Sequence, residues 1–321
     1  MNAANAMPGW ASTLQSLGAQ VLVRGWLSAN NIVFGPGPGQ AGGTVVDTGY
    51  ISHAPQTLAL VSHALGSAPL GQVVNTHLHS DHCGGNASLA RQWPGLHTSV
   101  PLGYRDSVQG WHEDSLSFRA TDQQCEPFEA QRFLADGDTV QLGARAWQVH
   151  AAPGHDPDAV MLFEPVTRTL ISGDALWESR LAIIFPELAG ESGFDDTAVA
   201  LDRIEALQPA LVLPGHGQPF TGVAAALAAS RQRLASFVAA PHKHRQYAMR
   251  ALVTYHLLEH RRREHDALVR WIVSTPVFQQ TLAQAGGQDA AHEVARDTVA
   301  RLVSDGVLQR DGQWVSMPGS D

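Results

Sequence analysis

Short β-branched and apolar runs at residues 21–26, 31–34 and 43–46 predict strands, since runs of this length bounded by Gly and Pro suit the extended chain. Between the last two, residues 35–43 (GPGPGQAGG) predict a loop. That loop lacks the Lys-Ser/Thr ending of a phosphate-binding loop, so its expected role is structural. Asp47-Thr48-Gly49 ends the third strand, and residues 54–65 carry apolar side chains at helical spacing. A β-branched run at 72–76 leads into HLHSDHCGGN, followed by a helix from about 86 to 93. Further strands are expected at 139–142, 146–151, 160–163 and 169–171, then a helix at 195–207 and an apolar strand at 211–213. Strand and helix alternation with antiparallel stretches predicts a layered α/β architecture. Past about residue 222 the pattern changes to Ala-rich helices reaching about 260, then helices at 265–272 and 288–303. Asp311-Gly312 is a two-residue turn signal between alternating runs, so residues 306–316 read as a hairpin. Helices followed by a hairpin predict a C-terminal winged-helix module, dividing the chain into 1–238 and 239–321.

Composition narrows this only modestly. The chain has 321 residues, 44% hydrophobic and 16% charged, which suits a folded chain with a sizeable core and not a disordered one. A net charge of −9 disfavours a broad phosphate-binding surface. Two cysteines, Cys83 and Cys125, cannot form a disulfide framework, and a reduced interior is the simpler expectation. The first 17 residues show no basic start followed by an apolar run. No apolar stretch of about 18 residues occurs either. A cytoplasmic, membrane-free protein is therefore expected. The outlier is histidine, with 16 copies, and histidine is both the commonest metal ligand and a general base.

Position gives those histidines meaning. In His77-Leu78-His79-Ser80-Asp81-His82, alternate residues of an extended chain point the same way, so His77 and His79 can reach one cation. Past the strand end, Asp81 and His82 can turn towards a second cation. His155 in PGHD, Asp174 in SGD and His216 in PGHG each follow an apolar run, and each is preceded by a glycine that lets the backbone turn. Imidazole and carboxylate suit zinc, iron or manganese.

The ordered set HxHxDH, PGH, SGD, PGH, spread over about residues 20–220, resembles the metallo-β-lactamase superfamily. The resemblance implies an αββα sandwich with the metals at one edge of two facing sheets. It implies His77, His79 and His155 as ligands of a first metal, Asp81, His82 and His216 as ligands of a second, and Asp174 as the carboxylate bridging both. Asp47 matches an early Asp that supports the metal loop. The expected cofactors are two divalent ions, zinc first, with iron or manganese also accepted. Charge is consistent with this: four positive charges less Asp81, Asp174 and one hydroxide leave about +1 for a developing oxyanion. The expected mechanism is attack by a metal-bridging hydroxide, with Asp81 and Asp174 as the catalytic carboxylates.

The HxHxDHxGG form resembles hydroxyacylglutathione hydrolases, which predicts a small thioester or ester substrate. The tail resembles a subgroup with a C-terminal winged helix in which single-strand endoribonuclease activity occurs, and this is the alternative. Acidic Asp289, Glu293 and Asp297 on helix 288–303 argue against docking to duplex nucleic acid. The module is instead expected to pack over the active site or to support a homodimer. A β-lactamase is disfavoured by the missing leader and by Asp174 at the bridging position. A non-catalytic winged-helix regulator would leave the full ligand set unused. Trp177, His244 and Arg245 are candidate substrate-binding residues, the last two as an anion clamp, against the plainer reading of packing for Trp177 and a solvated helix start for the pair. Cys83 beside His82 reads as a small packed residue rather than a thiolate ligand. Residues 261–263 read as an exposed helix end.

Overall fold

In the computed structural model, which describes residues 9–284 and 286–319, alternation along each strand sorts side chains into separate cores. Six strands, β1 (Ala19–Leu22), β2 (Asn31–Phe34), β3 (Gly43–Val46), β4 (Leu70–Val74), β5 (His97–Pro101) and β6 (Arg132–Leu134), form one sheet in chain order. The next five, β7 (Thr139–Leu142), β8 (Arg145–Ala151), β9 (Val160–Glu164), β10 (Thr169–Gly173) and β11 (Leu211–Pro214), form a second in the order β11-β10-β9-β8-β7. The first sheet is antiparallel from β1 to β3 and parallel from β3 to β6. In the second, only the β10–β11 pair is parallel.

Because side chains alternate across a strand, Ile32, Phe34, Val46 and Val74 face Val149, Val160, Leu162, Ile171 and Leu213 between the sheets. Their neighbours Val33, Val45 and Val73 face the other way, against Val61 and Leu65 of helix Ala54–Leu65. On the second sheet Met161, Phe163, Leu170 and Val212 pack outward on Leu201 and Ile204 of helix Phe194–Leu207 and on Leu227 of helix Val223–Ala239. The result is a four-layer αββα sandwich. Strands buried on both faces explain why the sequence shows continuous apolar runs there.

After a break at Ala240, helix Pro241–His260 leads into a unit with its own core. Helices His265–Ser274 and Gln288–Ser304 pack beside a sheet of β12 (Arg262–Glu264), β13 (Gln309–Asp311) and β14 (Trp314–Ser316), ordered β12-β14-β13. This core is made by Leu252, Val253, Leu268, Ile272, Val299 and Val315, with Leu188 reaching in from the sandwich. Hydrogen bonds tie the unit down: Tyr247 Oη donates to the Leu181 carbonyl at 2.7 Å, and Tyr255 Oη to that of Leu27 at 2.8 Å.

Several expectations need correction. The run at 21–26 is a strand only to Leu22, and the run at 72–76 starts and stops two residues earlier. β5 and β6 were not anticipated, since His97, Pro101 and Arg132 break the apolar signal at their ends. Residues 261–263 do not prolong a helix. Arg261 turns left-handed (φ +64°), and Arg262 and Arg263 enter an edge strand whose charge discourages pairing with other chains. Of the N-terminal stretch read as leaderless, residues 1–8 lie outside the described residues. Among those described, no helix is long and apolar enough to cross a membrane.

Trp147 is fully buried between the sheets, edge-on to Phe34 at 5.6 Å. Trp147→Ala should lower unfolding stability by about 3–5 kcal/mol in a urea titration. A loss under about 1 kcal/mol would show that the inter-sheet core is not built around this ring.

Candidate metal centre

The seven expected donors gather at one edge of the sandwich, five of them just past strand ends and two on a helical turn. His77 and His79 follow β4, His155 follows β8, Asp174 follows β10 and His216 follows β11. Asp81 and His82 lie on a single helical turn, Ser80–Cys83. Backbone and side chains pin this turn. The Thr48 N–H donates to the His82 carbonyl at 2.7 Å, as does Asn75 Nδ2 at 3.0 Å, while Asn86 ties Asn75 to Thr48. Asn30, which the sequence reading passed over, does the same for the His216 loop. Its Nδ2 donates to the carbonyls of Pro214 and Gly217.

The donors converge. His77 Nε2 lies 3.1 Å from His79 Nδ1, which lies 2.8 Å from His155 Nε2. His216 Nε2 is 3.0 Å from Asp81 Oδ2, and His82 Nε2 is 3.8 Å from the same oxygen. Asp174 sits between the two groups. Its Oδ1 is 3.4 Å from His82 Nε2, and its Oδ2 lies 3.5 Å from His155 Nε2 and 3.8 Å from His216 Nε2. Donor atoms of His77, His79 and His155, of His77, His82 and Asp174, and of Asp81, His82 and His216 each fall within 4.8 Å of one another, close enough to share a cation.

Two observations test whether these residues suit metal ions. First, the outer ring nitrogens of two donors are already engaged, which turns their inner nitrogens towards the pocket. His155 Nδ1 donates to the Ile183 carbonyl at 2.5 Å, and His82 Nδ1 to Asp47 Oδ2 at 2.8 Å. His82 Nε2 is then buried with no hydrogen-bond partner, an orphan that a cation would satisfy. Second, burial holds His77 well below the ordinary histidine range and pushes His79 and His155 down to about 4, so all three are neutral at pH 7. For Asp174 burial works the other way, but His82 and His216 outweigh it and hold the carboxyl well below its usual range. Neutral imidazoles with an ionised carboxylate between them are a donor set for a divalent cation.

Comparison with known proteins identifies the family. The sequence pattern of the Metallo-beta-lactamase superfamily matches residues 24–216. The chain belongs to the metallo-β-lactamase superfamily. It is 33% identical over 107 residues to a hydroxyacylglutathione hydrolase of Crocosphaera subtropica. It is 29% identical over 160 residues to the human acyl-coenzyme A thioesterase MBLAC2. These alignments cover 33% and 46% of this chain, and the chain spans only 34% and 56% of the two relatives' lengths. Among solved structures, a metallo-beta-lactamase family protein from Thermus thermophilus matches with TM-score 0.52 and 19% identity, over 94% of this chain and 98% of that one. A beta-lactamase domain protein from Burkholderia ambifaria matches with TM-score 0.55 and 23% identity, over 93% and 90%. These two show the fold.

The metallo-β-lactamase donor edge is held in place by residues behind it. Asp47 accepts from the Thr76 N–H at 2.9 Å and from Thr76 Oγ1 at 2.8 Å as well as from His82, so one carboxylate aligns the loop and orients a donor ring. Asp156 Oδ2 lies 3.5 Å from His79 Nε2, and burial raises its pKa. It was missed as a supporting residue, although it directly follows His155. The glycine before His216 is needed for room rather than for a turn. A Cβ on Gly215 would lie 2.2 Å from Asp174 Oδ1.

Above the donors opens a cavity of about 500 Å³. Trp26, Trp177, Phe185, Tyr247 and Tyr255 line it, with Arg180 and Arg250, and the C-terminal unit supplies Leu302, Val307 and Met317. Trp177 donates to Asp174 Oδ1 at 3.1 Å, so it touches both the donor set and the cavity. Trp26, 43% exposed and stacked on His216 at 5.0 Å, lies in the loop past β1 rather than in the strand expected at 21–26. His244 and Arg245 do not line the cavity, contrary to the anion-clamp expectation. His244 is buried with its Nε2 accepting from the Ile184 N–H, and Arg245 bonds Gln284 at the surface. Cys83 packs with Leu78 and Val100, its thiol 3.7 Å from that of Cys125, and both are free. A second depression of about 540 Å³ shares no residue with the donor set.

Asp47→Asn should weaken zinc binding about 10–100-fold in a chelator competition, because an amide keeps only one of the two acceptor oxygens that Thr76 and His82 use. Unchanged affinity would mean that Asp47 does not orient His82.

Proposed function

We propose that the chain is a dinuclear metal-dependent hydrolase acting on a small thioester or ester, in the manner of a hydroxyacylglutathione hydrolase. In this reading His77, His79 and His155 hold one cation, Asp81, His82 and His216 the other, and Asp174 reaches both. Zinc is the first expectation, with iron or manganese compatible with the same donors. Two bound divalent cations would supply hydroxide at neutral pH and charge to stabilise an oxyanion.

The observation that carries the thioester reading is the absence, among the described lining residues, of a free proton donor. The cavity histidines are donor-set members. The Tyr247 and Tyr255 hydroxyls already donate to backbone carbonyls, and burial raises their pKa values. Asp81 is ionised despite burial, because His82 and His216 lie beside it. It can accept a hydrogen bond from, and so orient, the attacking oxygen. A thiol has a pKa of about 8.5, so a thiolate departs without being protonated, whereas an amine needs a general acid. The aromatic walls and the leucine, valine and methionine side chains suit an acyl group, and Arg180, beside an Arg250 that is paired with Asp305, suits an anionic leaving portion. The names of the two curated relatives point the same way. We assign residues 1–238 to the catalytic part and 239–321 to a winged-helix-like module that walls the cavity.

The two arginines and that module are what favour the alternative, a single-strand endoribonuclease. Assays of the zinc-loaded protein on S-lactoylglutathione, an acyl-coenzyme A, the matching amide and a labelled single-stranded RNA separate the two. Thioester cleavage is expected, abolished by chelation and by Asp174→Ala and restored to the wild type by zinc. The amide should turn over at least about 100-fold more slowly. Cleavage of RNA alone, lost in His79→Ala, would overturn the proposal.

A further inference from the structure

One peptide unit, that joining Ile183 to Ile184, is hydrogen-bonded on both sides to a histidine. Its carbonyl accepts from His155 Nδ1 at 2.5 Å, and its N–H donates to His244 Nε2 at 3.0 Å. His155 belongs to the donor edge of the sandwich. His244 lies 60 residues beyond Ile184, in the first turn of helix Pro241–His260. We propose that His244 is a positioning residue for His155: through the Ile183–Ile184 peptide, the C-terminal helix fixes the direction in which His155 presents Nε2 to a cation. The proposal rests on the reading of His155 as a metal ligand.

The geometry has the properties such a relay needs. The carbonyl and N–H of a trans peptide point in opposite directions, so one acceptor and one donor can grip a single plane from both sides. Donation by the N–H strengthens the carbonyl as an acceptor, because chained hydrogen bonds polarise one another. His244 is 1% exposed and held edge-on between Phe194 at 5.5 Å and Phe237 at 5.1 Å, so its ring cannot swing away. Burial, with Arg245 adjacent, lowers its pKa to about 4, which keeps the Nε2 lone pair available. A second bond from the same helix, Tyr247 Oη to the Leu181 carbonyl, holds the other end of the segment. At the far end of the relay, His155 Nε2 stands 2.8 Å from His79 Nδ1 and 3.5 Å from Asp174 Oδ2. A rotated peptide would release the His155 ring and open that spacing.

A glutamine amide oxygen can replace Nε2 as acceptor, while methionine has similar bulk and no strong acceptor, so the pair isolates the hydrogen bond from packing. Zinc affinity of the full chain, read by chelator competition, should fall about ten-fold or more in His244→Met and return towards the wild-type value in His244→Gln. Thermal unfolding of the metal-free proteins separates a packing defect from a weakened site. Wild-type affinity in His244→Met, or equal loss in both variants, would overturn the relay. Nitrogen-15 NMR of the wild-type histidines needs no variant to fold: it should show His244 protonated at Nδ1 only, and a proton on Nε2 would equally overturn the proposal. A wild-type protein that binds no zinc would sink the metal-ligand reading and the relay together. Zinc binding indifferent to His244 sinks the relay alone.

Discussion

Burying three neutral imidazoles with ring nitrogens 2.8 to 3.1 Å apart sets lone pair against lone pair wherever the ring proton is used elsewhere, as at His155, whose Nδ1 donates to the Ile183 carbonyl. Burial together with the neighbouring rings keeps His77 and His155 from relieving this by protonation. The arrangement is costly by itself and becomes favourable when a cation is shared between the rings. The rest of the fold can be understood as the scaffold that keeps these atoms close. Four strand ends, a single helical turn and the close approach allowed by Gly215 deliver donors to one edge, and Asp47, Asp156 and Asn30 stop them from drifting apart.

The scaffold's strength comes from its layers. Each sheet contributes one face to the inter-sheet core around Trp147 and the other to outer helices, so the donor loops leave a support that is packed on both sides. The C-terminal unit adds what the sandwich lacks. It closes one side of the cavity with apolar side chains and grips the segment 181–184 at two points. One helix, Pro241–His260, thereby both lines the cavity and bonds the segment that accepts from His155.

Much of the donor edge was legible in the sequence because its elements are local. His77 to His82 announce themselves within six residues, and PGH, SGD and PGH each place a polar side chain directly after an apolar strand. The inner strands were legible for the same reason. What escaped depends on contacts between distant parts of the chain. Trp26 touches His216 only after folding, and nothing in its neighbours marks it. His244 sits in a basic cluster that reads as a solvated clamp, yet Phe194 and Phe237 bury it and its partner is a backbone amide. Arg262 to Glu264 carry no apolar signal and form a strand only because Trp314 to Ser316 offer an edge to pair with. Asp156 differs: it stood beside a proposed ligand, and only its distance to His79 reveals its role.

The account's central claim is that these donors enclose two cations at one edge of the sandwich. Anomalous diffraction at the zinc edge, from crystals of the zinc-loaded protein, tests it most directly. The account predicts two peaks per chain, one among His77, His79 and His155 and one among Asp81, His82 and His216, with Asp174 reaching both. A single peak, or peaks away from these side chains, would contradict it.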